Sequence, residues 1–195
     1  MRASPGVVIF WLWVPAILVP CAYLMAGHLV TLPRPDPADP DVAQAIDAAR
    51  APRERGVWMA VHVLSGGCGC SGRVLEHLVE RRPMEGLREK ILFVGEPTEL
   101  LRRAVAAGFT VESLTGDELA ARYRIEAAPL LLVADPGGEL RYSGGYTERK
   151  QSPTIGDVSV LSRLRAGERV APLPLFGCAV SRHLQKTLDP LGLKY

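Results

Sequence analysis

The chain has 195 residues, 48% of them hydrophobic and 23% charged, with four cysteines and a formal net charge of +2. That length holds one domain with appendages, and the composition excludes a wholly disordered polymer. Lys and Arg occur in nothing longer than short pairs, which argues against nucleic acid as the main partner. Four cysteines are too few for a disulfide-built scaffold.

From Pro5 to Leu32 there is no Asp, Glu, Lys or Arg, and the only ionisable side chains are Cys21, Tyr23 and His28. At a rise of ~1.5 Å per residue, Val7 to Val30 spans ~36 Å, enough to cross a ~30 Å hydrocarbon layer with some tilt. Pro15 and Pro20 would kink such a helix, which membrane-spanning helices tolerate better than soluble ones. Trp11 and Trp13 near one end, and Tyr23 and His28 toward the other, suit interfacial anchoring. A cleaved signal peptide competes with this reading, since Arg2 supplies a minimal basic start. The apolar run is nevertheless longer than the roughly 7–15 residues of a signal core, and no small-x-small site is followed at once by polar sequence. Leu18 to Cys21 only faintly suggests a lipoprotein site, because Pro20 stands where a small residue is wanted. Residues 7–32 are therefore expected to be an uncleaved transmembrane anchor after a short segment at 1–6, with Cys21 a membrane-embedded bystander. Arg2 on one side and Arg34 and Arg50 on the other encode orientation weakly.

Residues 33–56 read as a proline-rich linker. Leu32 to Pro40 has proline at four of nine positions, favouring extended polyproline structure and a semi-rigid spacer. Asp41 to Ala51 has helical spacing, with Val42, Ala45, Ile46 and Ala49 on one face, and would either pack on the domain or extend the stalk.

Residues 57–168 then alternate between strand and helix patterns. Val57 to Leu64 is a nearly continuous apolar run, as expected of a central strand covered on both faces. Ser65 to Cys70 is a glycine-rich turn, followed by a helix over Ser71 to Arg82 with Val74, Leu75, Leu78 and Val79 on one side. Lys90 to Gly95 predicts a second strand and Pro97 to Ala107 a second helix closed by Gly108. Phe109 to Leu114 predicts a short strand, and Gly116 to Tyr123 a helix. Leu130 to Ala134 and Leu140 to Ser143 flank Asp135-Pro-Gly-Gly138, which is hairpin chemistry. A last helix is expected over Ile155 to Ala166. Right-handed crossovers make the first half a parallel βαβ unit, to which the hairpin adds antiparallel strands.

The chemistry lies in the turn between the first strand and its helix. A thiolate, not a thiol, attacks a disulfide. Cys68 and Cys70 sit where unsatisfied amides and the macrodipole of a helix amino terminus favour an anion, an effect of ~0.3–2 kcal/mol, or roughly a quarter to one and a half pKa units. Gly66, Gly67 and Gly69 allow a tight turn and leave the sulfurs open. A bridge between cysteines one residue apart closes a small, strained ring, which makes it easier to reduce. The bland account of this motif is two incidental small residues in a turn. A metal account is also open: Cys68, Cys70 and a histidine, His77 or His183, would suit Cu(I) or Zn(II). A lone histidine beside leucines is more often a packed or surface side chain than a ligand.

From about Val57 to Ala166 the chain resembles the thioredoxin-like superfamily. The resemblance rests on the strand–turn–helix with cysteines at the helix start, on Ala127-Ala-Pro129 before the strand Leu130–Ala134, and on the hairpin through Asp135-Pro-Gly-Gly138. It implies an α/β thioredoxin-like fold carrying an amino-terminal transmembrane helix and a carboxyl-terminal extension. It also implies a cis-proline at Pro129 facing the cysteines, with Ala128 pairing with the substrate backbone. The motif departs from the family pattern, since C-G-C-S replaces C-x-x-C. Aligning Cys68 with the attacking cysteine makes Cys70 an unusual resolver, and puts classical thioredoxin reductase activity in doubt. His62, six residues before Cys68, stands where thioredoxins carry a buried acid; it would relay protons or simply be hydrogen-bonded within the core.

Residues 169–195 form the extension. Cys178 there is either a third redox cysteine or a buried small hydrophobe. Val180 to Leu188 has the spacing of a docking helix. The resulting expectation is a membrane-anchored, exported thiol–disulfide oxidoreductase with Cys68, Cys70, Pro129 and Cys178 at its site. Its partners would be protein thiols and disulfides, with no cofactor and no resident metal. The domain would lie on the periplasmic side of a bacterial-type inner membrane that the chain crosses once. The alternative is a copper-binding accessory protein using the same two cysteines. A thiol peroxidase is disfavoured, because no Thr or Pro precedes Cys68 in the pattern of peroxidatic sites.

Overall fold

The structure, a computed structural model, describes residues 4–150 and 152–193. Arg2 lies outside the described residues, as do the side chains of Tyr23 and His28. The chain divides after Thr31 into two compact units. The first holds helix α1 (Pro5–Leu29), which runs through Pro15 and Pro20. Over Pro5–Ala22 its mean hydropathy is 2.0 and none of it is buried, so the helix is long and apolar enough to cross a membrane.

The second unit is built on a five-stranded sheet ordered β3-β2-β1-β5-β6. Its strands are β1 (Trp58–Ser65), β2 (Leu87–Val94), β3 (Thr110–Leu114), β5 (Leu130–Ala134) and β6 (Leu140–Gly144), while β4 (Ala127–Ala128) lies apart from it. β1, β2 and β3 run parallel, whereas β5 is antiparallel to both β1 and β6. Alternation along β1 divides the core. Met59, Val61 and Val63 pack on one face with Leu119 and Tyr123. Ala60 and Leu64 face the other way, toward Val74, Leu75, Leu78 and Leu161.

The helices follow their capping chemistry. α3 (Gly69–Arg81) starts directly after Cys68. α4 (Glu99–Ala107) begins two residues later than the Pro97 start its sequence suggests, because the Thr98 side chain accepts from the Leu101 amide and fixes the cap. α5 (Gly116–Tyr123) carries a capping box between Thr115 and Glu118. α6 (Asp157–Arg165) follows β6, with Val160, Leu161 and Leu164 buried.

Two flanking segments are part of the globular unit. Helix α2 (Pro40–Ala48) packs against it, with Val42 and Ile46 buried in the core. Buried Arg50 then donates to the Asp135 carbonyl at 3.0 Å and to the Val57 carbonyl, joining the end of α2 to β1 and the hairpin. The proline-rich stretch runs along β6, where Arg34 donates to the Ser143 carbonyl at 3.1 Å and Ser143 Oγ donates to the Pro35 carbonyl at 2.7 Å. In the carboxyl-terminal segment, β7 (Cys178–Ala179) pairs with β4 in a separate two-stranded sheet. α7 (Arg182–Leu188) starts later than Val180 because Ser181 caps it, its hydroxyl accepting from the Leu184 amide.

Candidate functional site

The site forms where β1 hands over to α3. The Gly66 amide donates to the Val94 carbonyl at 2.9 Å and the Cys68 amide to the Ser65 carbonyl at 3.2 Å, which turns the chain sharply. Gly66 packs closely there, since a Cβ would come within 3.1 Å of the Phe93 ring. Cys68 takes the cap position of α3 and Cys70 the second residue of its first turn. Cys68 is 3% exposed and Cys70 half-buried, so the glycines do not leave both sulfurs open: Cys68 is covered and Cys70 lines a cleft.

Three further segments converge on this turn. The Ala128–Pro129 peptide bond is cis. Cys68 Sγ lies 3.8 Å from the Ala128 carbonyl, toward which its thiol points. Across the β4–β7 pair, Ala128 is opposite Cys178 and Ala127 opposite Ala179. The structure thus gathers Cys68, Cys70, Pro129 and Cys178 around one strand end. Beside Cys70 is a cleft of about 30 Å³, lined also by Arg73, Pro129, Tyr146 and Phe176. It has room for a water or two and not for a small-molecule substrate.

The electrostatics separate the two cysteines of the turn. Hydrogen bonds from the thiols of Cys178, foremost, and Cys70 hold the Cys68 thiol well below its ordinary pKa, against the opposing effect of burial. The Ser71 amide and hydroxyl act in the same direction. Ser71 Oγ is buried and has no other hydrogen-bond partner among the described residues, so its hydroxyl is available to the Cys68 sulfur. Cys70 moves the other way. Its hydrogen bond to Cys68, then burial and the negative charge on Cys68, push it up, while Arg73 and Lys150 oppose this. The turn therefore favours one thiolate beside one retained proton.

Beneath the site lies a polar network that the sequence only partly signals. His62, fully buried in β1, has Nδ1 2.8 Å from Tyr146 Oη and Nε2 2.8 Å from Glu89 Oε2. Burial, followed by the charge of Asp157, raises the Tyr146 phenol well above its ordinary pKa, so it keeps its proton. The two ring nitrogens of His62 thus join the Tyr146 phenol to the Glu89 carboxylate. Arg81 donates to Glu89 Oε1 at 3.0 Å and to Asp157 Oδ2 at 2.8 Å. Burial pushes the Glu89 carboxyl up, but hydrogen bonds from His62 and Arg81 more than offset it and bring it down to about 2. Tyr146 lines the cleft beside Cys70, so His62 connects to the site through that phenol. Glu89 had a visible signal, since alternation through Leu87, Glu89 and Ile91 puts it on an inward face. Tyr146 had none, because it follows the hairpin in a stretch without periodicity.

The histidines weighed as metal ligands are engaged elsewhere. His77 Nε2 is 2.9 Å from Asp157 Oδ1 and His183 Nδ1 is 3.0 Å from Glu126 Oε1. Among the described residues, no group of three or more His, Cys, Asp and Glu side chains is gathered as a metal would require. Cys21 is exposed on α1, in the other unit.

No protein-family model matches the chain, and no curated protein sequence matches it. Solved structures do. An uncharacterized conserved protein from Geobacillus kaustophilus superposes with a TM-score of 0.54 at 17% identity, over 66% of this chain and 78% of that one. A hypothetical protein from Sinorhizobium meliloti superposes with a TM-score of 0.53 at 18% identity, over 65% of this chain and 80% of that one. The thioredoxin domain of a thiol-disulfide oxidoreductase from Bacteroides vulgatus aligns more loosely, with a TM-score of 0.42 at 15% identity, over 57% of this chain and 81% of that one. With the sheet order β3-β2-β1-β5-β6, cysteines at the start of α3 and a cis-proline facing them, the chain has a thioredoxin-like fold, preceded by an apolar helix long enough to span a membrane.

Proposed function

We propose that the chain is a membrane-anchored thiol–disulfide oxidoreductase whose domain is exported and acts on thiols and disulfides of partner proteins. The observation that carries this reading is the placement of Cys68 and Cys70 at the amino terminus of α3 beside the cis Ala128–Pro129 bond, with Cys68 Sγ 3.8 Å from the Ala128 carbonyl and Cys70 lining a cleft with Pro129. The lowering of the Cys68 pKa and the raising of the Cys70 pKa accord with it. Cys68 attacks one sulfur of a partner disulfide, forming a mixed disulfide and expelling the other partner sulfur as a thiolate. Cys70 then gives up its proton and attacks Cys68 Sγ. The Cys68–Cys70 bond forms, and the remaining partner sulfur leaves and takes that proton. Read backwards, the same steps oxidise a partner dithiol, and no cofactor is needed in either direction. Pro129 walls the cleft beside Cys70 and shapes the approach of the partner strand. Export of the domain accords with a disulfide-permissive compartment.

The test is a mass comparison of the full chain in detergent, carried on Cys178→Ser so that only one intrachain partner is left at the site. Oxidised and reduced forms should differ by two hydrogens, mapped to Cys68 and Cys70. Turnover of a disulfide-bonded test protein should fall to background in Cys68→Ser. A Cys68 and Cys70 that never bridge, with turnover unaffected by Cys68→Ser, would overturn the reading. The copper alternative, with Cys68 and Cys70 as the ligands, is not favoured.

A further inference from the structure

The carboxyl-terminal segment reaches the thiols by backbone pairing. β4 is two residues long, and the extended partner it takes is β7. In that register Cys178 stands opposite Ala128, whose carbonyl lies 3.8 Å from Cys68 Sγ, so the two cysteines converge on one residue. Gly177 permits the approach, since a Cβ there would overlap the Ala128 carbonyl and come within 2.6 Å of Pro129 Cδ. The segment is fixed on both sides of the cysteine. The Leu173 amide donates to Tyr142 Oη at 3.1 Å, the Val180 amide donates to the Glu126 carbonyl at 2.7 Å, and Leu175 and Ala179 are buried. Cys68 is buried, and the side chains of Cys178, Cys70 and Ser71 reach its sulfur together with the Ala128 carbonyl.

We infer that Cys178 is a second exchange partner for Cys68, so that a disulfide passes within one chain from Cys68–Cys70 to Cys68–Cys178. This rests on the redox reading above, which supplies the Cys68–Cys70 bond as its starting point. Cys178 gives up its proton and its sulfur bonds to Cys68 Sγ. The Cys68–Cys70 bond breaks, and Cys70 leaves as a thiolate that takes up the proton. One disulfide and one thiol stand on each side of the step, and neither oxidant nor reductant is consumed. The exchange ties β7 to the site and returns Cys70 to its thiol form.

The experiment uses the full chain in detergent, equilibrated in a glutathione redox buffer, alkylated, digested and mapped by mass spectrometry. Wild type should yield both linked peptide pairs, Cys68–Cys70 and Cys68–Cys178. Cys70→Ser should carry Cys68–Cys178 as its main intrachain disulfide. Gly177→Ala, which forces the segment away from Ala128, should keep Cys68–Cys70 and lose most of the other pair. Cys70→Ser found with glutathione on Cys68 and no Cys68–Cys178 peptide would overturn the inference, whether or not Gly177→Ala folds. The Cys68–Cys70 pair is read separately in Cys178→Ser. Its absence there would overturn the redox reading instead, while a Cys68–Cys178 peptide in Cys70→Ser would still stand.

Discussion

Ser71 shows how much a single buried hydroxyl contributes at this site. It sits in the first turn of α3 with its Oγ buried and directed at a sulfur that ionises. A hydrogen bond to a charged group contributes about 1.5–3 kcal/mol, or roughly one to two pKa units. Ser71→Ala is therefore expected to raise the Cys68 pKa by up to about that amount, read as a shift in the pH profile of alkylation, with the fold unchanged. Glu89 gives a pH effect of opposite consequence. Its carboxyl is lowered to about 2 in the folded chain, below an unfolded value near ~4.3, so its stabilising contribution is complete above the unfolded value and is lost as pH falls toward about 2. Glu89→Gln should cost about 3 kcal/mol at neutral pH and flatten the acid limb of a denaturant-midpoint titration, because Arg81 and His62 lose a buried partner. At this scale the cysteines were legible in the sequence because glycines and a helix start surround them. Ser71 was hidden within the same motif, where only the covered position of the turn reveals what its hydroxyl faces.

Periodicity carried the larger elements and failed on the small ones. The apolar run of β1, the one-sided pattern of α3 and the turn chemistry of the hairpin are each repeated several times within their segment, so their placement follows from sequence. β4 and β7 are two residues each, too short for any period to show, and their pairing joins positions about fifty residues apart through backbone groups alone. Glycines mark where that segment docks. A Cβ at Gly116 would overlap the Val180 carbonyl, and one at Gly145 the Pro174 carbonyl, so both positions accept the segment only without a side chain. Gly116→Ala and Gly145→Ala should therefore loosen residues 172–181 before they unfold the sheet. Limited proteolysis should cut there first, at least about tenfold faster than in wild type, corresponding to ~1.4 kcal/mol of lost local protection. Uniform slow cleavage in both variants would count against this role.

Across the whole molecule, composition hid two different solvents. The hydrophobic share combines a helix that exposes Ile9, Trp11, Leu12 and Val19 with a domain that buries its apolar residues on both faces of a sheet. The absence of charge over that helix made it legible, whereas the docking of α2 and of the proline-rich stretch onto the domain was not, since each depends on partners distant in sequence. An anchor and a cleaved leader predict different proteins. The mature chain is expected to retain residues 1–31 by intact mass and to stay with membranes under alkaline carbonate; a mature mass lacking them would make the helix a signal.

The small β4–β7 sheet also bears on how copies of this chain behave together. A strand with unpaired backbone groups beside apolar surface is a template for the next molecule, and soluble proteins cover such edges. Here β7 covers β4, and the same segment seals its neighbourhood with Leu175, Val180 and Leu184. A chain ending before Pro172 would present that edge and an uncovered apolar seat together. In detergent it should elute from size exclusion as soluble aggregates at concentrations where the full chain does not, which would make the extension that brings a cysteine to the site also the cover of that edge.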